Sequence, residues 1–306
     1  MILQSYMAFK SAVLGGVSID RLNTLCAVVE AGTIAVAAGS DLNRQSQYSR
    51  QLTQLEKALG VSLFERSGKT LKANETGRRV ARAAQIFFGA LDDVMDVAQG
   101  KAETIRLGAG EAMLRWFVMP HLPELMAGDP PLRFEVHSLT TESALRELLA
   151  GSVDLVIVRT DSVPDGVQSE VVKTVQYILA VPRTFLRSRE AAEVFEGRPL
   201  PFAELAGDGH FARTVEATAT TLGLNLRPVL KAQTFSLLVS AVESGTAAAF
   251  LPEIAAKSLP EQTFALVSAE GMGALHRRLS IAWTAQVLES RPAVRRAITR
   301  LRRVLS

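Results

Sequence analysis

Between residues 33 and 52 the chain reads Thr-Ile-Ala-Val-Ala-Ala-Gly-Ser-Asp-Leu-Asn-Arg-Gln-Ser-Gln-Tyr-Ser-Arg-Gln-Leu. This stretch restricts the folds open to the chain more than any other. Thr33 is a good N-cap, because its hydroxyl can accept from a backbone N–H that the first helical turn leaves unpaired. Ala35, Ala37 and Ala38 give that helix a surface of small residues. Gly39-Ser40-Asp41 then favours a turn over a helix interior. Asn43 is placed to cap a second helix that begins Arg44, Gln45, Ser46, Gln47. Small residues let two helices cross closely, as a helix-turn-helix requires. Arg bonds guanine bidentately and Gln bonds adenine so, on edges that the major groove presents to an inserted helix. On these residues alone, a polar solvent-facing helix of some other helical domain stays open.

The next forty residues favour the nucleic-acid reading. Between Asn43 and Arg82 there are nine basic residues against three acidic ones, while the whole chain carries only +3. A surplus of positive charge beside a helix-turn-helix is the footprint of a phosphate-backbone binder. Phe64-Glu65-Arg66-Ser67-Gly68-Lys69-Thr70-Leu71-Lys72 reads as a β-hairpin with a Ser-Gly turn. Rimmed by Arg66, Lys69 and Lys72, it would lie along a phosphate backbone as a wing and position the reading helix.

Around this core, residues 21–31 place Leu22, Leu25, Cys26 and Val29 on one helical stripe, closed by Gly32. Leu52, Leu55 and Leu59 continue the second helix to Gly60. Asn74 is expected to cap a long helix over 75–99. In it Val80, Ala84, Phe87, Leu91, Val94 and Ala98 alternate at spacings of four and three, an a/d seam. Such a seam serves either packing within the chain or dimerisation, and a reader of DNA half-sites favours a dimer.

From Thr104 strands and helices alternate: strands at 105–110, 134–139 and 154–159, and helices at 112–126, bent near Pro120 and Pro123, and at 141–150. Further strands are expected at 176–181, 248–251 and 279–285, a helix at 235–244, and a final helix from about 290. This order predicts a parallel sheet flanked by helices, in two similar α/β halves with crossings near Pro182 and Val267. A cleft between such halves is a small-ligand site, and the junctions at Glu111-Ala112-Met113 and Thr140-Thr141 would offer helix N-termini to an anion.

At 306 residues the chain is long enough for about two domains. Its 48% hydrophobic and 21% charged composition is that of a globular protein. The single cysteine, Cys26, excludes an intrachain disulfide and a cysteine-based zinc site, which fits a reducing cytoplasm; a structural thiol is favoured over a redox sensor. No apolar run approaches a membrane span, and residues 1–17 read as an extension rather than a signal peptide.

From about Ser18 onward the chain resembles the LysR-type transcriptional regulators. The resemblance is carried by Ala37, Ala38, Gln45, Ser49, Arg50, Gln51 and Leu52, then by Leu55, Glu56, Leu59, Gly60, Leu63, Phe64 and Arg66, and by Gly77. In the second half Leu149-Ala150-Gly151-Ser152-Val153-Asp154-Leu155, Val242-Glu243-Ser244-Gly245 and Phe250-Leu251-Pro252 match more weakly. Asp41 stands where the family has a core leucine, Arg44 where Ser or Thr caps the reading helix, and Ser46, Gln47 and Tyr48 replace Pro-Ala-Leu.

The resemblance implies an α/β chain with an all-helical N-terminal part: an extension (1–17), a winged helix-turn-helix (18–76), a linker and dimerisation helix (77–101), and a periplasmic-binding-protein-like effector domain (102–306). The latter divides into subdomain I, about 102–181 and 268–306, and subdomain II, about 182–267. Thr33, Arg44, Gln45, Ser46, Gln47, Tyr48, Ser49, Arg50, Arg66, Lys69 and Lys72 would meet double-stranded promoter DNA. Ala112, Met113, Thr140, Thr141, Phe211, Phe235 and Ser236 would meet a small effector, anionic or aromatic, and Val80, Ala84, Phe87, Leu91 and Val94 a second copy of the chain. RNA polymerase is a further candidate partner; no membrane is.

Other motifs point nowhere specific. Gly108-Ala109-Gly110 lacks the third glycine of a dinucleotide fingerprint, since Met113 stands there. His121, His137, His210 and His276 lack metal-ligand spacing, and no nucleophile–base pair is expected, so neither a cofactor nor a catalytic role is. Arg291, Arg295, Arg296, Arg300, Arg302 and Arg303 are expected on the solvated face of a terminal helix whose Val294, Ile298, Leu301 and Leu305 pack inward. The rival readings are an effector-independent DNA-binding or architectural protein with a closed cleft, and a solute receptor fused to a helical module.

Overall fold

The computed structural model describes residues 16–39, 41–67, 70–186, 199–207, 209–260, 262, 264–267 and 275–305. The expected extension thus lies almost wholly outside the described residues, as does Lys69.

The N-terminal unit packs three helices, α1 (Ile19–Ala31), α2 (Ile34–Ala38) and α3 (Leu42–Leu59), against a hairpin of β1 (Phe64–Ser67) and β2 (Thr70–Ala73). Leu25, Val28, Leu52, Leu55, Leu63 and Phe64 are buried between them. Gly32 ends α1 and Gly60 ends α3, both at positive φ, where a Cβ would be strained. In α1 the deepest side chains are Thr24, Leu25 and Val28. Leu22, Cys26 and Val29 of the expected stripe are half-buried and pack against the same core.

Asn74 caps α4 (Glu75–Ala98), accepting from the Gly77 N–H. This helix links the two parts. Its N-terminal end packs Ala81 into the helix-turn-helix core. Its second half lays Ile86, Gly89 and Asp93, all buried, toward the C-terminal domain.

That domain is α/β, but its main sheet is mixed rather than parallel. Strands β3 (Glu103–Ala109), β4 (Leu132–Ser138) and β5 (Leu155–Arg159) are parallel. Strand β6 (Gln168–Pro182) is far longer than the expected 176–181. β11 (His276–Trp283) runs antiparallel between β5 and β6. The physical cause is the return path: the chain leaves the first half along β6 and must come back along β11, so β11 points the other way. The register also puts the crossing earlier than Pro182. Residues up to Gln176 pair with β11, while Tyr177 to Pro182 pair with β9 (Ala249–Pro252) and β10 (Phe264–Val267). The second half adds a parallel pair, β7 (Pro199–Leu205) and β8 (Asn225–Ala232), with a helix at Gly209–Thr221 and another at Phe235–Glu243.

The first half buries Ile105, Leu107, Leu155 and Ile157 against the terminal helix Pro292–Leu305, whose Val294, Ile298, Leu301 and Leu305 all point inward as expected. The segment from Glu111 to Met126 is broken as its prolines require: α, π and 3-10 turns precede a last helix at Leu122–Met126. The arginine face differs from the expectation at Arg291. Its guanidinium is 2% exposed and bonds Asp93, Asp154 and the Thr104 carbonyl. Arg296 pairs with Glu103, and Arg300 donates to the Leu125 and Pro130 carbonyls.

Candidate nucleic-acid interface and effector cleft

Thr33 Oγ1 accepts from the Val36 N–H at 3.2 Å and starts α2 as expected. The second cap is not Asn43. Asp41 Oδ1 accepts from the N–H groups of Asn43 and Arg44 at 2.9 and 3.1 Å, so the reading helix begins at Leu42. Both residues can cap, but a carboxylate also gains from the positive end of the helix dipole. The position the family gives to a core leucine is therefore a helix start here.

Asn43, Arg44, Ser46, Gln47, Ser49 and Arg50 are exposed, whereas Gln45 and Tyr48 are half-buried. The Gln45 amide donates to the Gly39 carbonyl at 3.1 Å, holding the turn. Tyr48 packs on the helical core. Tyr48 thus contributes to packing and Gln45 to the turn. Thr24 donates to Gln51 at 2.6 Å, tying α1 to the reading helix. Glu56 Oε1 accepts from the Leu63 and Phe64 N–H groups at 2.7 and 3.2 Å, fixing where the hairpin leaves. Lys72 is exposed on β2, and Arg66 lies on β1.

Within the helical core, Cys26 donates to the Ala81 carbonyl at 3.5 Å. Burial, with Glu30 adding to it, pushes the thiol pKa up to about 11. The reactive thiolate is thereby disfavoured, which supports the structural assignment.

The linker helix divides its expected seam. Ala84 is buried within the chain and Val80 packs on the helix-turn-helix core. Phe87, Leu91 and Val94 stand out at 51, 41 and 65% exposure, joined by Met95 and Val97. This C-terminal part of the set is its exposed part.

In the α/β domain the two halves meet where the Glu111 helix start faces the Phe235 helix start. Ser236 Oγ donates to Glu111 Oε1 and accepts from Arg115 Nη1 at 2.9 Å. Ala112, Trp116 and Phe117 of the first half pack on the core of the second. Ala112 and Ser236 thus sit at this junction as expected. Met113, Phe211 and Phe235 do not line a space: Met113 is buried in the first core, and the two phenylalanines in the second. Tyr177, Phe211 and Phe235 form a ring cluster at centroid distances of 4.9 to 5.5 Å. The Arg277 guanidinium lies 4.3 Å from the Phe211 ring, in cation–π range. Thr140 caps the helix Thr141–Ala150 by accepting from the Ser143 N–H, with Thr141 half-buried beside it. Glu111 lies at the junction the sequence pointed to; Arg115, Tyr177 and Arg277 were missed, and nothing local marks them, because their partners are more than thirty residues away.

Two open depressions lie outside the junction. One of about 600 Å3 is lined by Arg79, Val80, Arg82 and Gln286; the other, of about 640 Å3, by Leu230, Leu237 and their neighbours. Among the described residues no helix is long and apolar enough to cross a membrane, and no group of three or more His, Cys, Asp or Glu is placed to hold a metal ion.

Comparison with known proteins follows the same division. Residues 19–78 match the family description "Bacterial regulatory helix-turn-helix protein, lysR family", and residues 98–306 match "LysR substrate binding domain". A probable hydrogen peroxide-inducible genes activator of Mycobacterium leprae is 29% identical over 169 residues, 54% of each chain, so that match spans about half of the relative. A probable nitrogen assimilation transcriptional activator of Synechococcus elongatus is 25% identical over 246 residues, 78% of this chain and 79% of the relative. Among solved structures, ArgP from Mycobacterium tuberculosis superposes with a TM-score of 0.69 at 18% identity, over 94% of this chain and 96% of that one. DarR from Vibrio fischeri, solved in complex with DNA, gives 0.56 at 15% identity, over 94 and 99%. At such identities the likeness is one of fold.

Proposed function

The chain belongs to the LysR-type transcriptional regulators, and from that premise we propose that it acts in the cytoplasm as a homo-oligomer that reads promoter DNA and responds to a small effector. The observation that carries the DNA reading is the capped reading helix. Asp41 starts it, Leu52 and Leu55 hold it down, and its polar side chains, Arg50 among them, are left facing outward. That is the geometry of a helix offered to a major groove. The basic residues of the hairpin and the start of the linker helix supply the phosphate contacts.

The effector reading rests on the junction between the two halves. A ligand entering there replaces the Glu111–Ser236–Arg115 hydrogen bonds and changes how the halves meet. It acts on DNA binding only through unequal affinity for the two arrangements. The terms of recognition are a carboxylate, a guanidinium and a hydroxyl at the rim, with aromatic rings behind. This reading assigns the chain no catalytic step.

A second reading, an effector-independent regulator, is favoured by one observation: Met113, Phe211 and Phe235 fill the interior with the chain's own side chains. One experiment separates the two. Purified protein is melted in the presence of a panel of small carboxylates and aromatic acids, and its affinity for a selected DNA duplex is measured with and without each. A ligand at a hundredfold excess over its dissociation constant stabilises the native state by about 2.7 kcal/mol. A compound that raises the melting temperature and alters DNA affinity supports the effector reading. A flat panel with DNA binding intact supports the second.

A further inference from the structure

We propose that Asn43, rather than Gln45, is the adenine-reading residue of this helix-turn-helix, with Leu42 beside it against a thymine methyl. The inference rests on the DNA-binding reading and adds which side chains specify the sequence.

The displaced cap carries it. Because Asp41 takes the N–H groups of Asn43 and Arg44, the helix starts at Leu42 and Asn43 falls in its first turn. The N-terminal residues of a reading helix are those that reach base edges. Helical spacing then sorts the side chains. Gln45, Tyr48, Leu52, Leu55 and Leu59 recur at three and four, and all are buried or half-buried. Asn43, Ser46, Arg50, Thr53 and Lys57 recur on the opposite face, and all are exposed. Asn43 therefore leads the outward stripe.

Gln45 is the weaker candidate on two counts: it lies on the half-buried face, and its amide already donates to the Gly39 carbonyl. The bond uses one of the two amide N–H groups and ties the head group to the turn, so any base contact by Gln45 is made from that fixed position. Asn43 meets Asp41 through its backbone N–H, and among the described residues its side-chain amide has no hydrogen-bond partner, so it can donate to adenine N7 and accept from N6, the bidentate pairing that distinguishes adenine in the major groove. Leu42, at the tip of the helix, is an apolar side chain 74% exposed. Its chemistry suits the methyl group that marks thymine.

The test is selection of binding sites from randomised duplexes by the full-length protein, in parallel with three variants. Wild-type protein that enriches no sequence overturns the DNA-binding reading and this inference with it. With a wild-type consensus in hand, Asn43→Ala is expected to lose adenine preference at one position per half-site by about 5- to 150-fold, the range of a single bidentate base contact, and to keep the other positions. Gln45→Ala is expected to keep every base preference while melting at a lower temperature. An Asn43→Ala profile identical to wild type, or an adenine position lost in Gln45→Ala instead, overturns the proposal. Should Asn43→Ala fold poorly, Asn43→Arg decides: it is expected to move that position toward guanine, and retained adenine there is contrary to the assignment.

Discussion

The Arg291 guanidinium donates to both carboxylate oxygens of Asp93 at 2.8 Å, although 198 residues separate the two in sequence. The pair joins the linker helix to the residue that precedes the terminal helix. Asp154, paired in turn with Arg106, and the Thr104 carbonyl complete the site. Gly89 permits it, because a Cβ there would come within 3.0 Å of the guanidinium. Burial pulls the Arg291 pKa down, but the hydrogen bonds and charges of Asp93 and Asp154 outweigh it and hold the pKa above its ordinary value.

Removing one member of a buried ion cluster leaves the others uncompensated. Arg291→Met is therefore expected to lower the unfolding free energy by about 3–5 kcal/mol in urea. Adding Asp93→Asn to it should restore part of the loss, since one stranded carboxylate is then neutral. Equal stability of Arg291→Met and wild type would show that the cluster contributes nothing net.

Gly77 meets a harder limit. A Cβ on it would lie 2.1 Å from the Leu63 carbonyl oxygen, the same oxygen that accepts from the Asn74 N–H. The atom in the way is backbone, so the hairpin or the linker helix must shift. Gly77→Ala is expected to destabilise the helix-turn-helix by about 1–3 kcal/mol and to weaken binding to all duplexes alike. A variant with wild-type melting and DNA affinity would contradict this packing.

These relationships show which parts of the fold were legible in the sequence. Thr33 and Asn74 cap helices as read, and Gly32 and Gly60 end them, because a cap is decided within four residues. Asp41 was misread for a local reason: two competent caps stand two positions apart, and the helix dipole favours the carboxylate. Arg291 was misread for a distant one, since nothing near it in sequence reveals Asp93 or Asp154. β6 was underestimated because its two halves belong to different sheet regions, with the switch between Gln176 and Tyr177. Gln45 matched a family pattern, yet its amide turned out to hold the turn.

Cys26 gives a prediction in pH. Its folded pKa of about 11 exceeds the ordinary 9.0, so between these values the native state retains a proton that the unfolded chain has lost. Stability from this group is full below pH 9 and declines as pH rises toward 11. Cys26→Ser should flatten that part of the stability profile. At pH 8, iodoacetamide should label the native thiol far more slowly than the unfolded one; equally fast labelling would contradict a buried, protonated thiol.

The linker helix carries the last prediction. One of its faces is committed to the chain: Ile86, Gly89 and Asp93 are buried, the last two against Arg291. Phe87, Leu91 and Val94 point the other way, spaced by four and three, and meet no core of their own. A helix strip of this kind is buried by association. Phe87→Asp alters the free strip without touching the docked one, so the monomer should fold and melt as wild type does. In a two-fold dimer the change counts twice. At about 1.5–3 kcal/mol for each phenylalanine side chain removed from burial, the dimer dissociation constant should rise by about two to four orders of magnitude. Sedimentation velocity across a dilution series reads this directly. A Phe87→Asp protein that stays associated at the wild-type dilution limit would place the interface elsewhere and leave Val80 and Ala84 as evidence of packing within the chain alone.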